Sequence, residues 1–137
     1  MASELFVDTS GFYALLVKND DRHAAASSYL REAKRKQRSF VTSDYILDET
    51  ATLLKARGHA HLLDAFFQTV LMSKACRLEW TDSARFDDVR AFFLKHLDQD
   101  WSFTDCVSFR IMKELRIRDA LTKDRHFHEA GFVALLK

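Results

Sequence analysis

Proline is absent from this 137-residue chain, and glycine occurs only at Gly11, Gly58 and Gly131. A sandwich or barrel of short antiparallel strands needs a tight turn at each reversal. Such turns draw on the fixed φ of proline and the positive φ that glycine tolerates. With so little of either, an all-β fold is disfavoured, as are collagen-like and linker-rich designs. The chain predicts a helix-rich α/β domain. No Pro-, Gly- or Ser-rich linker and no repeat interrupts it, so residues 1–137 read as one domain, a size that buries a single core.

The apolar pattern agrees. Leu5-Phe6-Val7 is a continuous apolar run that stops at Asp8-Thr9-Ser10, as a parallel strand buried on both faces does before a helix, with Ser10 as the expected N-cap. Helices are expected over 11–17 and 22–36, a strand over 40–42, and a helix over 44–57 closed by Gly58. Leu62, Leu63, Phe66, Phe67, Val70 and Leu71 recur at spacings of three and four and predict one helix over 59–73. A strand over 77–80 and a helix bearing Phe86, Val89, Phe92, Phe93 and Leu97 follow. Ser102 and Asp105 form a capping-box pattern ahead of a helix to residue 115, and strands are expected over 119–122 and 132–136. Strands alternating with helices imply right-handed crossovers and a mostly parallel sheet flanked by helices.

Composition narrows the class further. Apolar residues make up 47% and charged residues 30%, which is a folded globular balance. Twenty-one Lys and Arg against twenty Asp and Glu leave a net charge of +1, so any nucleic-acid contact has to come from a local patch. Cys76 and Cys106 lack the spacing of a disulfide framework or a zinc site, which suits a reducing cytosol. Neither a leader-like start nor a membrane-length apolar run is present, so a cytoplasmic protein without a membrane partner is expected.

Four carboxylates carry the chemistry. Asp8 and Asp124 each follow a short apolar strand, where α/β sheets place their ligands, although turn and N-cap aspartates occupy such positions too. Glu49 falls with Ile46 and Leu53 at i, i+3 and i+7 on a stripe expected to face the core, where a carboxylate needs a partner. Asp48 points about 100° away, towards water. Asp105 shares a stripe with Ser108, Phe109 and Met112, and it is also the acid of the capping box. Gathered at one sheet edge, four negative charges repel strongly and call for a cation. Oxygen donors without a paired Cys/His set point to Mg²⁺ or Mn²⁺, and such a centre suits phosphodiester hydrolysis.

The residues Phe6-Val7-Asp8-Thr9-Ser10, Tyr45-Ile46-Leu47-Asp48-Glu49-Thr50, Ser102-Phe103-Thr104-Asp105-Cys106 and Leu121-Thr122-Lys123-Asp124-Arg125-His126-Phe127, with Ala130-Gly131-Phe132 after them, are an ordered set. In them the chain resembles PIN-domain nucleases, and closely the VapC-type toxins of toxin-antitoxin pairs. The resemblance covers nearly the whole chain and implies a PIN-like three-layer domain with metal-dependent endoribonuclease activity. It implies that Asp8, Glu49, Asp105 and Asp124 are the catalytic, metal-holding quartet. Asp8 and Asp105 would be direct ligands, with Glu49 and Asp124 nearby or acting through water. It further implies an RNA substrate, a cognate antitoxin and a homodimer. Asp98 and Asp100 are additional acids of open role.

Other features weigh less. His126 and His128, beside Asp124, read as solvated histidines ahead of RNA contacts or proton carriers, and His59 and His61 likewise. Cys106 reads as a small buried hydrophobe, not a nucleophile. The basic run Arg31, Lys34, Arg35, Lys36 and Arg38 suits a helix end, whereas Arg116, Arg118, Lys123 and Arg125 are the better candidates for substrate. A catalytically silent RNA-binding or assembly module on the same fold is the alternative, told apart by whether single acid substitutions abolish metal-dependent cleavage. A phosphatase with Asp8 as nucleophile ranks last, because the haloacid-dehalogenase pattern wants an aspartate where Ser10 stands.

Overall fold

A computed structural model describes residues 3–137; Met1 and Ala2, counted in the expected domain, lie outside the described residues. Five parallel strands lie in the order β3-β2-β1-β4-β5, with β1 over Leu5–Val7, β2 over Phe40–Ser43, β3 over Cys76–Glu79, β4 over Asp119–Leu121 and β5 over Val133–Ala134. The sheet is wholly parallel, and helices cover it, as the alternating pattern predicts. Leu5, Phe6 and Val7 are all buried, which explains why the central strand is apolar without alternation.

The chain builds β1, β2 and β3 outwards to one side, then crosses back to place β4 and β5 on the other. The order therefore reverses between β1 and β4, and Phe6 pairs with Ala120 across that junction. Chains leaving the two strands diverge there and open a crevice at their carboxyl ends. The connecting helices are α1 (Thr9–Leu16), α2 (His23–Arg35), α3 (Asp44–Ala56), α4 (Leu63–Met72), α5 (Ser83–Lys95), α6 (Phe103–Glu114) and the short α7 (Arg125–Glu129). Among the described residues no helix is long and apolar enough to cross a membrane.

Several local expectations shift. The N-cap of α1 is Asp8, not Ser10: its carboxylate accepts from the Gly11 amide at 3.0 Å, so the helix starts two residues before the expected 11. The apolar stretch over 59–73 divides into a 3-10 turn at Ala60–Leu62 and α4. The last strand shrinks from the expected 132–136 to Val133–Ala134, although Leu135 and Leu136 still donate amides to Ala120 and Thr122. Helix α7 was not anticipated. It forms because Asp124 caps its first turn and Phe127 is driven into the core, 5.0 Å from Phe109 and 6.3 Å from Phe6 by ring centroid.

Gly11 explains how the first helix reaches the strand junction. A Cβ at that position would lie 2.0 Å from the Leu121 carbonyl oxygen, so only glycine lets α1 pack onto the end of β4.

Candidate metal centre

The crevice at the strand junction is a cleft of about 640 Å³ lined by Asp8, Glu49 and Asp124, together with Thr9, Ser10, Tyr13, Asp20, Arg22, Leu53, Arg57, Lys123, Arg125 and His126. Its floor is the end of β1. Asp8 is 6% exposed and bound by three donors: the Thr122 hydroxyl at 2.7 Å, the Ser10 hydroxyl at 2.9 Å and the Gly11 amide. Burial nevertheless outweighs those donors, and with Asp124 adding repulsion it pushes the Asp8 carboxyl up to about 7.

Thr122 and Ser10 tie the two strand ends together. The Thr122 hydroxyl also accepts from the Asp124 amide at 3.0 Å, and the Ser10 hydroxyl accepts from the Lys123 amide at 3.0 Å. The residues after β4 are thus held against those after β1, fixing Asp124 relative to Asp8. Asp124 in turn caps α7 by accepting from the His126 amide at 2.9 Å.

Asp105 makes the expected capping box with Ser102 at the start of α6, and it also faces the cluster. One of its oxygens, Oδ2, accepts from the Ser102 amide at 3.0 Å and from His126 Nδ1, also at 3.0 Å. Cap and site membership prove compatible. Burial raises the Asp105 carboxyl above its ordinary value, with the Asp124 charge adding to the rise and the Ser102 amide and His126 opposing it. His126 Nδ1 is 3.3 Å from Asp124 as well, so it clasps the two acids. Ligand atoms of Asp105, Asp124 and His126 fall within 4.8 Å of one another.

Glu49 departs from its expected surroundings. The buried face of α3 is Ile46, Leu47, Thr50 and Leu54, while Glu49 lies beside it, exposed, and Leu53 is half-buried. Its partner is real: the Thr9 hydroxyl donates to it at 2.6 Å. Asp48 is exposed, as expected.

The structure brings Asp8, Glu49 and Asp124 into one cleft and joins Asp105 to Asp124 through His126. Among the described residues, Glu49, Asp105 and Asp124 each keep one carboxylate oxygen without a protein hydrogen bond. Asp105 and Asp124, grouped with His126 and opening onto a cleft that Asp8 and Glu49 also line, offer hard oxygen donors that fit a divalent cation in the Mg²⁺ or Mn²⁺ class. Asp98 and Asp100 are exposed and do not line the cleft, and His128 is exposed.

Sequence reasoning undervalued His126, whose position two residues beyond a strand-end aspartate, on the turn that aspartate caps, was the available signal. It also missed Thr122 and Gly11. Of the basic candidates, Lys123 and Arg125 line the cleft, whereas Arg116 and Arg118 precede β4 and so lie towards the opposite sheet edge. Arg38 is at that far edge too, paired with Asp119 at 3.1 Å. Cys106 is fully buried, and its thiol is pushed up to about 11 by burial and the neighbouring Asp105 charge, which removes it as a nucleophile.

The sequence matches the PIN domain over residues 5–133. It is 33% identical over 130 residues to the 23S rRNA-specific endonuclease VapC20 of two Mycobacterium tuberculosis strains, covering 94% of this chain and 95% of theirs. The crystal structure of Mycobacterium tuberculosis VapC20, described as a Sarcin-Ricin loop cleaving toxin, superposes with a TM-score of 0.84 at 29% identity, over 98% of this chain and 100% of that one. FitAcB from Neisseria gonorrhoeae shares the fold, with a TM-score of 0.64 at 14% identity over 95% and 94% of the two chains. By this match over most of its length, the chain belongs to the PIN domain family and is of the VapC type.

Proposed function

We propose that the protein is a metal-dependent endoribonuclease and the toxin of a toxin-antitoxin pair, acting in the cytoplasm as one nuclease unit over residues 1–137. The observation that carries this reading is the cleft that Asp8, Glu49 and Asp124 line together, with Asp8 buried and held by Thr122, Ser10 and Gly11, and with Asp105 linked to Asp124 through His126. Asp8, Glu49, Asp105 and Asp124 hold Mg²⁺ or Mn²⁺, which supplies activation of water and neutralisation of the phosphate and the departing oxygen. Thr9 aims Glu49, Thr122 and Ser10 aim Asp8, and His126 keeps Asp105 and Asp124 together. Lys123 and Arg125 hold the RNA backbone at the mouth. RNA is the substrate class because the VapC20 relatives are rRNA-specific endonucleases.

The test is cleavage of total RNA by the purified protein with Mg²⁺ or Mn²⁺, beside EDTA and beside Asp8→Asn and Asp105→Asn. Each variant is expected to lose activity by orders of magnitude, because an amide holds a hard cation far less well than a carboxylate. Undiminished cleavage in EDTA or in either variant removes the assignment; binding of RNA without any cleavage leaves the silent-module reading.

An antitoxin helix is proposed to seat in the apolar groove of about 290 Å³ lined by Phe12, Leu15, Leu16, Leu30, Phe66 and Val70, and to direct an Arg or Lys to the acids. Phe66 is core at 2% exposure and forms the groove floor, while Phe67 is 37% exposed. Purification from the native host should bring the partner along; a chain recovered alone and active counts against it. A homodimer is proposed through the exposed Phe86 and Leu94 of α5 and Leu97 beyond it, checked by sedimentation.

A further inference from the structure

The acidic cleft does not end at its acids. Glu49 and Leu53 on α3 and Arg57 at its C-cap follow one another at i, i+4 and i+8, so this side of the cleft presents a carboxylate, an apolar side chain and a cation in one line about 12 Å long. Facing it, α1 presents Thr9 and Tyr13 at i and i+4. Side chains join the two at both ends of this line. At the catalytic end the Thr9 hydroxyl donates to Glu49, and at the far end the Arg57 guanidinium carbon lies 5.4 Å from the centre of the Tyr13 ring.

The far end is built, not incidental. Tyr13 is half-buried, its hydroxyl is 3.3 Å from His59 Nε2, and the His59 ring stands edge-on to it at 5.8 Å. The ring is thereby held at a fixed angle on the cleft wall. Arg57 is exposed and meets this aromatic face instead of a carboxylate, although Glu49 and Asp20 line the same cleft. A planar cation over a fixed ring is an arrangement on which an unpaired nucleobase stacks, and a guanidinium can hold the adjoining phosphate as well.

We propose that Tyr13 and Arg57 form a base-stacking platform that grips an unpaired nucleotide of the RNA strand beside the bond being cut, and so selects looped or single-stranded RNA over duplex. This rests on the reading of the cleft as an RNA-cleaving site. Tyr13 and Arg57 are positioning residues: they touch the substrate away from the reacting phosphate and act through where they place it. A paired base offers no free face, so a duplex cannot use the platform.

The experiment measures binding without cleavage. In EDTA, fluorescence anisotropy follows a hairpin RNA whose unpaired loop carries 2-aminopurine, with a fully paired duplex of the same composition as control, and 2-aminopurine quenching reports stacking directly. Wild type should quench the probe and prefer the hairpin. Tyr13→Ala should weaken hairpin binding on the order of 10-fold or more and abolish quenching, while Tyr13→Phe keeps both, because the ring and not the hydroxyl does the stacking. Arg57→Gln should weaken binding several-fold and flatten the salt dependence of log Kd by about 0.7, the share of one phosphate contact on a single strand. Melting temperatures in the same buffer check folding, and Arg57→Gln, at an exposed position, keeps the test valid should Tyr13→Ala unfold.

Hairpin binding and quenching unchanged in both Tyr13→Ala and Arg57→Gln overturns the proposal. So does a Tyr13→Phe protein as weak as Tyr13→Ala, which would make the His59 tie purely structural. Failure of the wild type to cleave RNA with Mn²⁺ overturns the nuclease reading instead, whatever the binding shows.

Discussion

Asp8→Asn should stabilise the metal-free protein at neutral and alkaline pH and do almost nothing at acid pH. The Asp8 carboxyl rises from 3.8 to about 7 on folding, chiefly because it is buried at 6% exposure. Below about pH 4 it is protonated in both folded and unfolded chains and contributes no pH dependence. Between about pH 4 and 7 the folded chain keeps the proton that the unfolded chain has released, so stability falls by about 1.4 kcal/mol per pH unit. Above about pH 7 both states are ionised, and the accumulated cost levels off near 4 kcal/mol. Asparagine is nearly isosteric and carries no such cost. Its amide nitrogen can donate to the Thr122 hydroxyl, which is free to rotate, while its oxygen keeps the Gly11 and Ser10 bonds.

In EDTA near pH 8 the variant should therefore melt on the order of 10 °C higher than wild type, with the gap closing towards about pH 4. Other carboxylates titrate in both proteins, so the difference between the two curves isolates Asp8. Millimolar Mn²⁺ should then raise the wild type more than the variant, since a ligand that binds only the folded state stabilises by mass action, by about 2.7 kcal/mol at a hundredfold excess over Kd. Parallel melting curves across the pH range, or equal responses to metal, would refute the reasoning: Asp8 would then ionise freely and belong to no crowded site.

Gly11→Ala should destabilise by about 1–3 kcal/mol or more and lower cleavage sharply, because its Cβ meets a backbone oxygen at 2.0 Å and the shift of α1 carries Asp8 with it; denaturant melts and an RNA assay read both. Glu49→Gln should change the metal-free melting temperature by only a few degrees, since Glu49 is exposed and an amide oxygen can still accept from Thr9, yet it should reduce cleavage strongly. Cys106→Ala should keep metal-dependent cleavage at comfortable folding temperatures while losing some stability from a fully buried site; loss of activity in a folded variant would reinstate the thiol.

How far the chain can be read without coordinates differs between its elements and its site. The strand Leu5–Val7 and the helices Asp44–Ala56 and Phe103–Glu114 are legible because burial on two faces, or on one helical face, writes itself into short-range periodicity. Asp8 and Asp124 are legible as strand-end acids for the same reason, and Asp105 as the acid of a capping box. The choice of face on α3 was not legible: Ile46 belongs equally to a stripe through Glu49 and to one through Leu47, Thr50 and Leu54, and only packing against the sheet picks the second. Helix α7 is too short to show a period, and although the place of His126 just beyond Asp124 hinted at a role, its reach to Asp105, 21 residues away, could not be read locally.

What the sequence determined by itself is the alternation of strands and helices and the set of acids with no place in a core. Tertiary structure alone decided which acids meet and how. The Thr122 bond to Asp8 spans 114 residues, the Thr9 bond to Glu49 spans 40, and the contact of Tyr13 with Arg57 joins two helices separated by a strand and a third helix. Such contacts follow from strand order, with β2 on one side of β1 and β4 on the other, and a periodicity of two or of 3.6 residues carries no information about which strands become neighbours. The close approach at Gly11 has the same origin, since a glycine's lack of a side chain acquires its meaning only from the carbonyl of β4 that lies against it.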